Sequence, residues 1–285
     1  MIIAELINNQ EKIKSNDELY YNEELDKVWK KLYYREIPTD ISVPEQIFQV
    51  FHDLVSSTHR HLLPYYVSKD QYLYTWVDLQ PDGKLKCIYS GKERDPQQLI
   101  KEDFEAIEKR FLLYRELIKI HKFSTKTMIE EVKSIGREYR FNTEHIVPQS
   151  WYEAKEPMKG DLHHLFVCEP KCNNMRSNYP YYEYSEDDPY IDKNMCGMNG
   201  FERFEPSYGK GNVARAMLYF LLRYPNTIKP KYEKTLDISL LLRWHEKYEV
   251  TKYEKHRNKA IFEIQGNRNP FIDFPELMSN IAFPV

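Results

Sequence analysis

Between Asn142 and Tyr179 the sequence NTEHIVPQSWYEAKEPMKGDLHHLFVCEPKCNNMRSNY gathers carboxylates, three imidazoles, several amides and a guanidinium. Glu144 offers a charged oxygen and Asn173 a neutral one, a pair that suits a hard cation such as magnesium better than thiolate-loving zinc. With only one carboxylate beside it, such an ion keeps net positive charge. It can then hold a phosphodiester oxygen and stabilise the charge that builds during displacement. The neighbouring His145 has the side chain whose unperturbed pKa lies nearest neutrality, and it could take the proton of an attacking water.

These groups need elements to hold them. Apolar alternation around Glu144-His145-Ile146-Val147 predicts a short strand, stopped by Pro148, which cannot donate to a ladder. A second strand is expected from Leu162 to Val167, with period-two alternation placing His163 and His164 on opposite faces. Glu169-Pro170 reads as a helix start, because the missing proline N–H is not needed in the first turn. On that helix Asn173 and Arg176 stand three apart and share a face. Adjacent strand residues point to opposite sides, so Glu144 and His145 can serve one site only where the strand ends or twists.

The motifs EHIVPQSW, DLHHL, N-x-x-R-S-N, GKGNVARAMLYFLLRY and QGNRNPFIDFPEL stand in this order between about Tyr72 and Leu277. Together they make the chain resemble the endonuclease I group of ββα-metal, or His-Asn-His-like, nucleases, a group of bacterial extracellular ribonucleases and deoxyribonucleases. The resemblance implies Glu144 and Asn173 as metal ligands, His145 as general base and His164 as the residue that orients the base. Its cofactor would be Mg2+, with Mn2+ or Ca2+ as substitutes. Some relatives place an arginine between the base and the second strand; here the stretch from Glu153 to Lys159 holds only Lys155 and Lys159. Transition-state charge is therefore expected to fall to a lysine or to Arg176.

Chain length and composition set wider bounds. At 285 residues the chain can bury a substantial core. Apolar residues make up 41% and charged residues 30%, and no apolar run is long enough to span a membrane. A net charge of −3 gives no general affinity for phosphate, so nucleic-acid binding requires a local basic patch. The 23 tyrosines could stack on unpaired bases, although most are expected at core edges. The N-terminus lacks the basic start and apolar segment of an export signal. The family resemblance points instead to a secreted or periplasmic protein, and a nuclease kept in the cytoplasm would require restraint, for instance by an inhibitor protein. Cys87, Cys168, Cys172 and Cys196 form no dense disulfide framework and read as spare thiols or as marks of a reducing compartment. A zinc site of Cys168, Cys172, Cys196 and His163 has the wrong spacing for a two-residue knuckle.

Along the chain, helical stripes appear at Leu25-Val28-Trp29-Leu32-Tyr33 and at Phe48-Phe51-Val55, the latter behind a Ser42-x-x-Glu45 capping box. His59 and His61 are expected to face solvent or to cap the helix end. Tyr72 to Val77 and Leu85 to Tyr89 flank Pro81-Asp82-Gly83 and predict a β-hairpin. Phe104, Ile107, Phe111, Tyr114 and Ile118 mark a packing helix, and Gly136 is expected to end the next one. Tyr181 to Asn199 reads as a long loop in which Asp187 and Asp188 are solvated. The helix beginning near Asn212 buries Val213, Ala214, Met217, Leu218 and Leu221 and leaves Arg215 lateral, open to either a phosphate contact or an ion pair. Thr251-x-x-Glu254 caps a helix stopped by Gly266. Asn267 and Arg268 then lie in a turn, their side chains available to the backbone or to nucleic acid.

The expected fold is α+β, a mainly helical body around a small mixed β core, with a helical N-terminal part (1–66) packed on a catalytic domain (67–285) that contains the ββα-metal unit at 142–179. The expected activity is metal-dependent, largely sequence-nonspecific hydrolysis of DNA and/or RNA to 5′-phosphate ends. Candidate nucleic-acid contacts are Lys159, Arg215, Asn267 and Arg268. Two alternatives are a non-catalytic nucleic-acid-binding module and a zinc-dependent phosphoesterase.

Overall fold

A computed structural model describes residues 2–38, 41–120, 125–185, 188 and 192–284. Among them the chain is α+β, with helices surrounding three small antiparallel sheets. The N-terminal helices are α1 (Ile2–Ser15), α2 (Glu23–Tyr33) and α3 (Pro44–Thr58), followed by a π-helix at Ser68–Val77. Strands β1 (Leu85–Lys86) and β2 (Glu93–Arg94) pair ahead of the helices α4 (Pro96–Ile120) and α5 (Thr125–Glu138). Next come β3 (Thr143–His145), β4 (Leu165–Val167) and α6 (Pro170–Arg176). A three-stranded sheet, β5 (Asp192–Asn194), β6 (Gly197–Gly200) and β7 (Arg203–Pro206), leads to the helices α7 (Lys210–Arg223), α8 (Ile238–Lys247) and α9 (Lys252–Gln265). No helix is long and apolar enough to cross a membrane among the described residues.

Strand β4 is the hinge of the packing. Its side chains alternate between two cores, as period two requires. Leu165 and Val167 join Leu6, Leu73 and Ile261, whereas Phe166 and Cys168 join the cluster built on α7 and Trp244. Its partner β3 is set by register, Thr143 opposite Val167 and His145 opposite Leu165. The approach to β3 is held by Asp103 of α4, which accepts from the Asn142 backbone N–H (2.9 Å), the Asn142 amide (3.0 Å) and Lys69 of the π-helix (2.8 Å).

Several local expectations are corrected. Leu162–His164 form a 3₁₀ turn rather than the start of a strand, because Asp161 caps the His163 N–H and the Gln265 side chain takes the Leu162 N–H. All three residues are therefore buried, against any alternation. Tyr72 to Val77 lie in the π-helix, which buries Leu73, Tyr74 and Val77 against neighbouring helices. The Pro81-Asp82-Gly83 turn forms, with Gly83 at φ +76°, but it joins the π-helix to β1 instead of joining two strands. Helix α3 starts on Pro44 with no side-chain cap, so Ser42 and Glu45 make no capping box. Gly136 sits inside α5. Val28, Phe104, Phe111 and Ile118 are exposed. His59 is buried, its ring 3.9 Å from the Asp161 carboxylate. Tyr181 to Asn199 contributes strands β5 and most of β6; Asp187 lies outside the described residues. The Thr251–Glu254 capping box and the Gly266 helix stop, at φ +94°, form as expected.

Candidate active site

A cleft of about 850 Å³ opens over β3. Its floor is Thr143, Glu144 and His145; Asn173 comes from α6, Arg110 and Arg140 from the α4–α5 side, and Lys159 from the loop before β4. Three cations thus meet one buried carboxyl in a chain of net charge −3, which is the local basic patch that the composition demanded. Both Glu144 and His145 line this cleft because β3 ends at His145 and Pro148 breaks the pairing just beyond.

His145 is held by two polar contacts. Its Nε2 lies 2.9 Å from the Lys159 carbonyl, an acceptor only, so that nitrogen carries the proton. Nδ1 then holds the lone pair and accepts from the Gln149 amide at 3.1 Å. Burial, followed by the neighbouring His164, keeps its pKa well below the usual histidine range, so the imidazole is neutral. His164 was expected to orient His145 directly. Instead its ring packs edge-on at 5.5 Å, and its Nε2 donates to the Met158 carbonyl at 2.5 Å. The two histidines thus grip successive carbonyls of one turn. That turn requires glycine at 160, where a Cβ would come within 1.8 Å of the Leu63 carbonyl oxygen.

Glu144 accepts from the Tyr89 hydroxyl at 2.8 Å, and the Arg176 Nε lies 3.5 Å away. Burial raises its pKa to about 7, against the opposing pull of Arg176 and Tyr89. Arg176 itself is fully buried; it donates to the Ile146 carbonyl at 2.8 Å and lies over the Tyr181 ring. It supports Glu144 from behind and does not line the cleft. Asn173 donates its amide to the Thr143 carbonyl at 2.9 Å, which fixes the side-chain orientation, and its Oδ1 accepts from Arg140 at 2.7 Å.

Of the candidate nucleic-acid contacts, Lys159 lies in the cleft, its ammonium 5.2 Å from the Tyr65 ring centre. The other three are interior. Arg215 pairs with Glu254 at 2.6 Å, and Arg268 is clamped between Asp26 (2.9 Å) and Asp273 (2.7 Å). Asn267 donates to the Tyr219 hydroxyl at 2.7 Å. Each is at most 1% exposed, so none has surface to offer a polynucleotide. Lys155 pairs with the exposed Glu153 at 2.7 Å. Cys172 and Cys196, expected as free thiols, form a disulfide, so Cys172 has no thiolate for the zinc site considered above.

Sequence reasoning missed Arg140, Arg110 and Gln149. Gln149 stands inside the EHIVPQSW motif and Arg140 two residues before the unit, so both were within sight. Arg110 carried no signal: it reaches the cleft only because its guanidinium stacks 4.2 Å from the Phe141 ring and donates to the Gly136 carbonyl at 3.0 Å.

The buried histidines make stability depend on pH. Burial lowers the pKa of His145, His164 and His163, the last to about 4. A depressed histidine pKa contributes stability that is full above about 6.5 and is lost as pH falls toward the folded-state value. His163 alone accounts for up to about 3 kcal/mol by pH 4. Glu144 acts in the opposite sense, gaining stability as it protonates between about 7 and 4.5. His59, His245 and His256 are lowered by burial in the same sense, so the histidines outweigh Glu144 and predict a falling melting temperature from pH 6.5 to 4.5, steeper in wild type than in His163→Gln. A flat profile by calorimetry would contradict this.

Comparison with known proteins agrees with the motif order. The family model for endonuclease I matches residues 64–276. A periplasmic deoxyribonuclease of Aeromonas hydrophila is 29% identical over 181 residues, which is 53% of this chain and 74% of the relative. An extracellular ribonuclease of Bacillus amyloliquefaciens is 31% identical over 137 residues, 42% of this chain and 46% of the relative. An Endonuclease-1 of Buchnera aphidicola is 27% identical over 162 residues, 49% of this chain and 64% of the relative. A match across most of the chain, centred on the strands and helix that build the cleft, shows that the protein belongs to the endonuclease I family, enzymes that hydrolyse the phosphodiester bonds of nucleic acids.

Proposed function

We propose that the chain is a metal-dependent, largely sequence-nonselective endonuclease that cuts DNA and/or RNA to leave 5′-phosphate ends, with Mg2+ held by Glu144 and Asn173. One observation carries the reading: a neutral imidazole with a lone pair at Nδ1, a buried carboxyl and a fixed amide oxygen converge in one cation-lined cleft. The donor set fits the ion. Both ligand atoms are hard oxygens, and the Asn173 oxygen already accepts from a cation, the Arg140 guanidinium, which also pulls electrostatically on Glu144. When bound, such an ion supplies a Lewis acid for a phosphoryl oxygen.

In this reading the protein residues divide the remaining work. His145 Nδ1 takes the proton of the attacking water, and the Lys159 carbonyl holds Nε2–H so that the forming imidazolium keeps its place. Lys159, Arg110 and Arg140 meet the negative charge of the phosphate backbone; contacts of that type position a substrate without reading its bases. An ion held by Asn173 would take the place of the Arg140 guanidinium on its oxygen. Relatives named as deoxyribonucleases and as ribonucleases both match the chain, so both substrates are retained.

The test is cleavage of plasmid DNA and of RNA, each with magnesium or with excess chelator, and ligation of the products to report their ends. Activity is expected to need magnesium or manganese, and full cleavage in chelator would sink the proposal. Asn173→Ala is expected to weaken metal binding at least ~10-fold, the low end of what losing even a supporting partner costs a metal site. Calorimetric titration of the folded variant with Mn2+ checks this; an unchanged affinity would remove Asn173 from the ligand set.

A further inference from the structure

All four cysteines of the chain, at positions 87, 168, 172 and 196, meet in one buried place. Cys172 of α6 is bonded to Cys196 in the turn between β5 and β6. Cys87, just after β1, and Cys168, just after β4, are buried free thiols whose sulfurs lie 3.8 Å apart. The Cys87 sulfur is also within 4.8 Å of the Cys172 sulfur. A thiol pair is therefore packed against a disulfide.

The setting favours Cys87 as the nucleophile. Its sulfur accepts from the Glu169 backbone N–H at 3.4 Å, a donor that stabilises a thiolate, and touches the Cys168 sulfur at 3.8 Å. The nearby Glu169 carboxylate would oppose it, but that charge is taken up by Lys92 at 3.0 Å and Arg94 at 3.4 Å. Burial of all four sulfurs keeps bulk reagents out, leaving each sulfur to react with its neighbours.

We propose that these cysteines form an internal thiol–disulfide relay that passes the Cys172–Cys196 bond, by way of Cys87, to a Cys87–Cys168 bond. In the first step the Cys87 thiolate attacks the Cys172 sulfur. The Cys87–Cys172 bond forms, the Cys172–Cys196 bond breaks, and Cys196 leaves with the electron pair and takes up the proton that Cys87 released. In the second step the Cys168 thiolate attacks the Cys87 sulfur, and Cys172 leaves with the pair and takes the proton from Cys168. One disulfide and two thiols are present before and after, so no oxidant is consumed. The cross-link moves from the helix carrying Asn173 to the end of β4. This inference uses none of the catalytic residues and stands whether or not the metal reading holds.

The full-length protein, incubated at pH 8 without reductant, is quenched in acid, unfolded, alkylated and digested without reduction for mass mapping of its bridges. Cys87–Cys172 and Cys87–Cys168 bridges are expected beside Cys172–Cys196. Cys87→Ser loses both and keeps only Cys172–Cys196. Cys168→Ser blocks the second step, so the Cys87–Cys172 bridge accumulates there; this variant decides the matter if Cys87→Ser does not fold. Cys172–Cys196 as the sole bridge in both wild type and Cys168→Ser overturns the relay. So do Cys87 bridges that appear only when the protein is unfolded before incubation. One zinc per chain with four unbridged cysteines overturns it in favour of a thiolate metal site.

Discussion

His145→Ala is expected to lose about 10²–10⁴-fold in cleavage rate, the usual contribution of a positioned general base, while still binding substrate. The reason is geometric. With the Lys159 carbonyl fixing the proton on Nε2, Nδ1 carries the lone pair, which a water can use once it displaces the Gln149 amide, and burial keeps the ring neutral. His164→Ala is expected to do less harm, and by another route. The His164 side chain packs its ring on His145 and bonds the Met158 carbonyl, so its loss loosens the turn that presents the Lys159 carbonyl. The rival account, in which water attacks without a side-chain base, keeps His145→Ala near wild type. Single-turnover cleavage and filter binding of both folded variants at saturating magnesium separate the two. Near-normal cleavage by His145→Ala removes the base from the mechanism.

Arg268→Met is expected to cost about 3–5 kcal/mol in folding stability, because removing one partner of a buried ion pair strands the other charge. Here Asp26 is left with only the Tyr21 hydroxyl, while Asp273 keeps the Tyr34 hydroxyl and Lys30 at 3.6 Å. Arg268 donates to Asp26 from Nη1 and Nη2 at 2.9 and 3.1 Å, and to Asp273 from Nε and Nη2 at 2.7 and 3.0 Å. Asp26 belongs to α2 and Asp273 to the C-terminal region, so the clamp ties one end of the chain to the other. Arg268→Lys should rescue little, since an ammonium lacks the planar fork that serves both acids. Urea unfolding measures the loss. A phosphate-contacting arginine would behave differently: its removal would leave stability unchanged and lower the salt dependence of DNA binding. That outcome would return Arg268 to the nucleic-acid interface.

The sequence by itself placed Glu144, His145 and Asn173 on the short elements that line the cleft. Glu144 and His145 at a strand end before Pro148, and Asn173 on a helix opened by Pro170, are local facts: alternation, a missing N–H and a three-residue spacing act over a few residues. The Thr251–Glu254 box and the Gly266 stop were legible for the same reason. Burial and partnership were not local, and the tertiary structure decided them. A lateral arginine on an amphipathic helix looks the same whether it meets phosphate or Glu254, 39 residues on. Cys172 and Cys196 read as spare thiols because their spacing says nothing until β5 and β6 fold back onto α6. The alternation at Tyr72 to Val77 gave way to a π-helix once α1 and α9 packed on it. Arg110 entered the cleft only through the α4–α5 side of the fold, and Arg140 reached the Asn173 oxygen across 33 residues. Short-range chemistry thus fixed which side chains could act, and long-range packing fixed which of the charged groups faced the cleft and which held the body together.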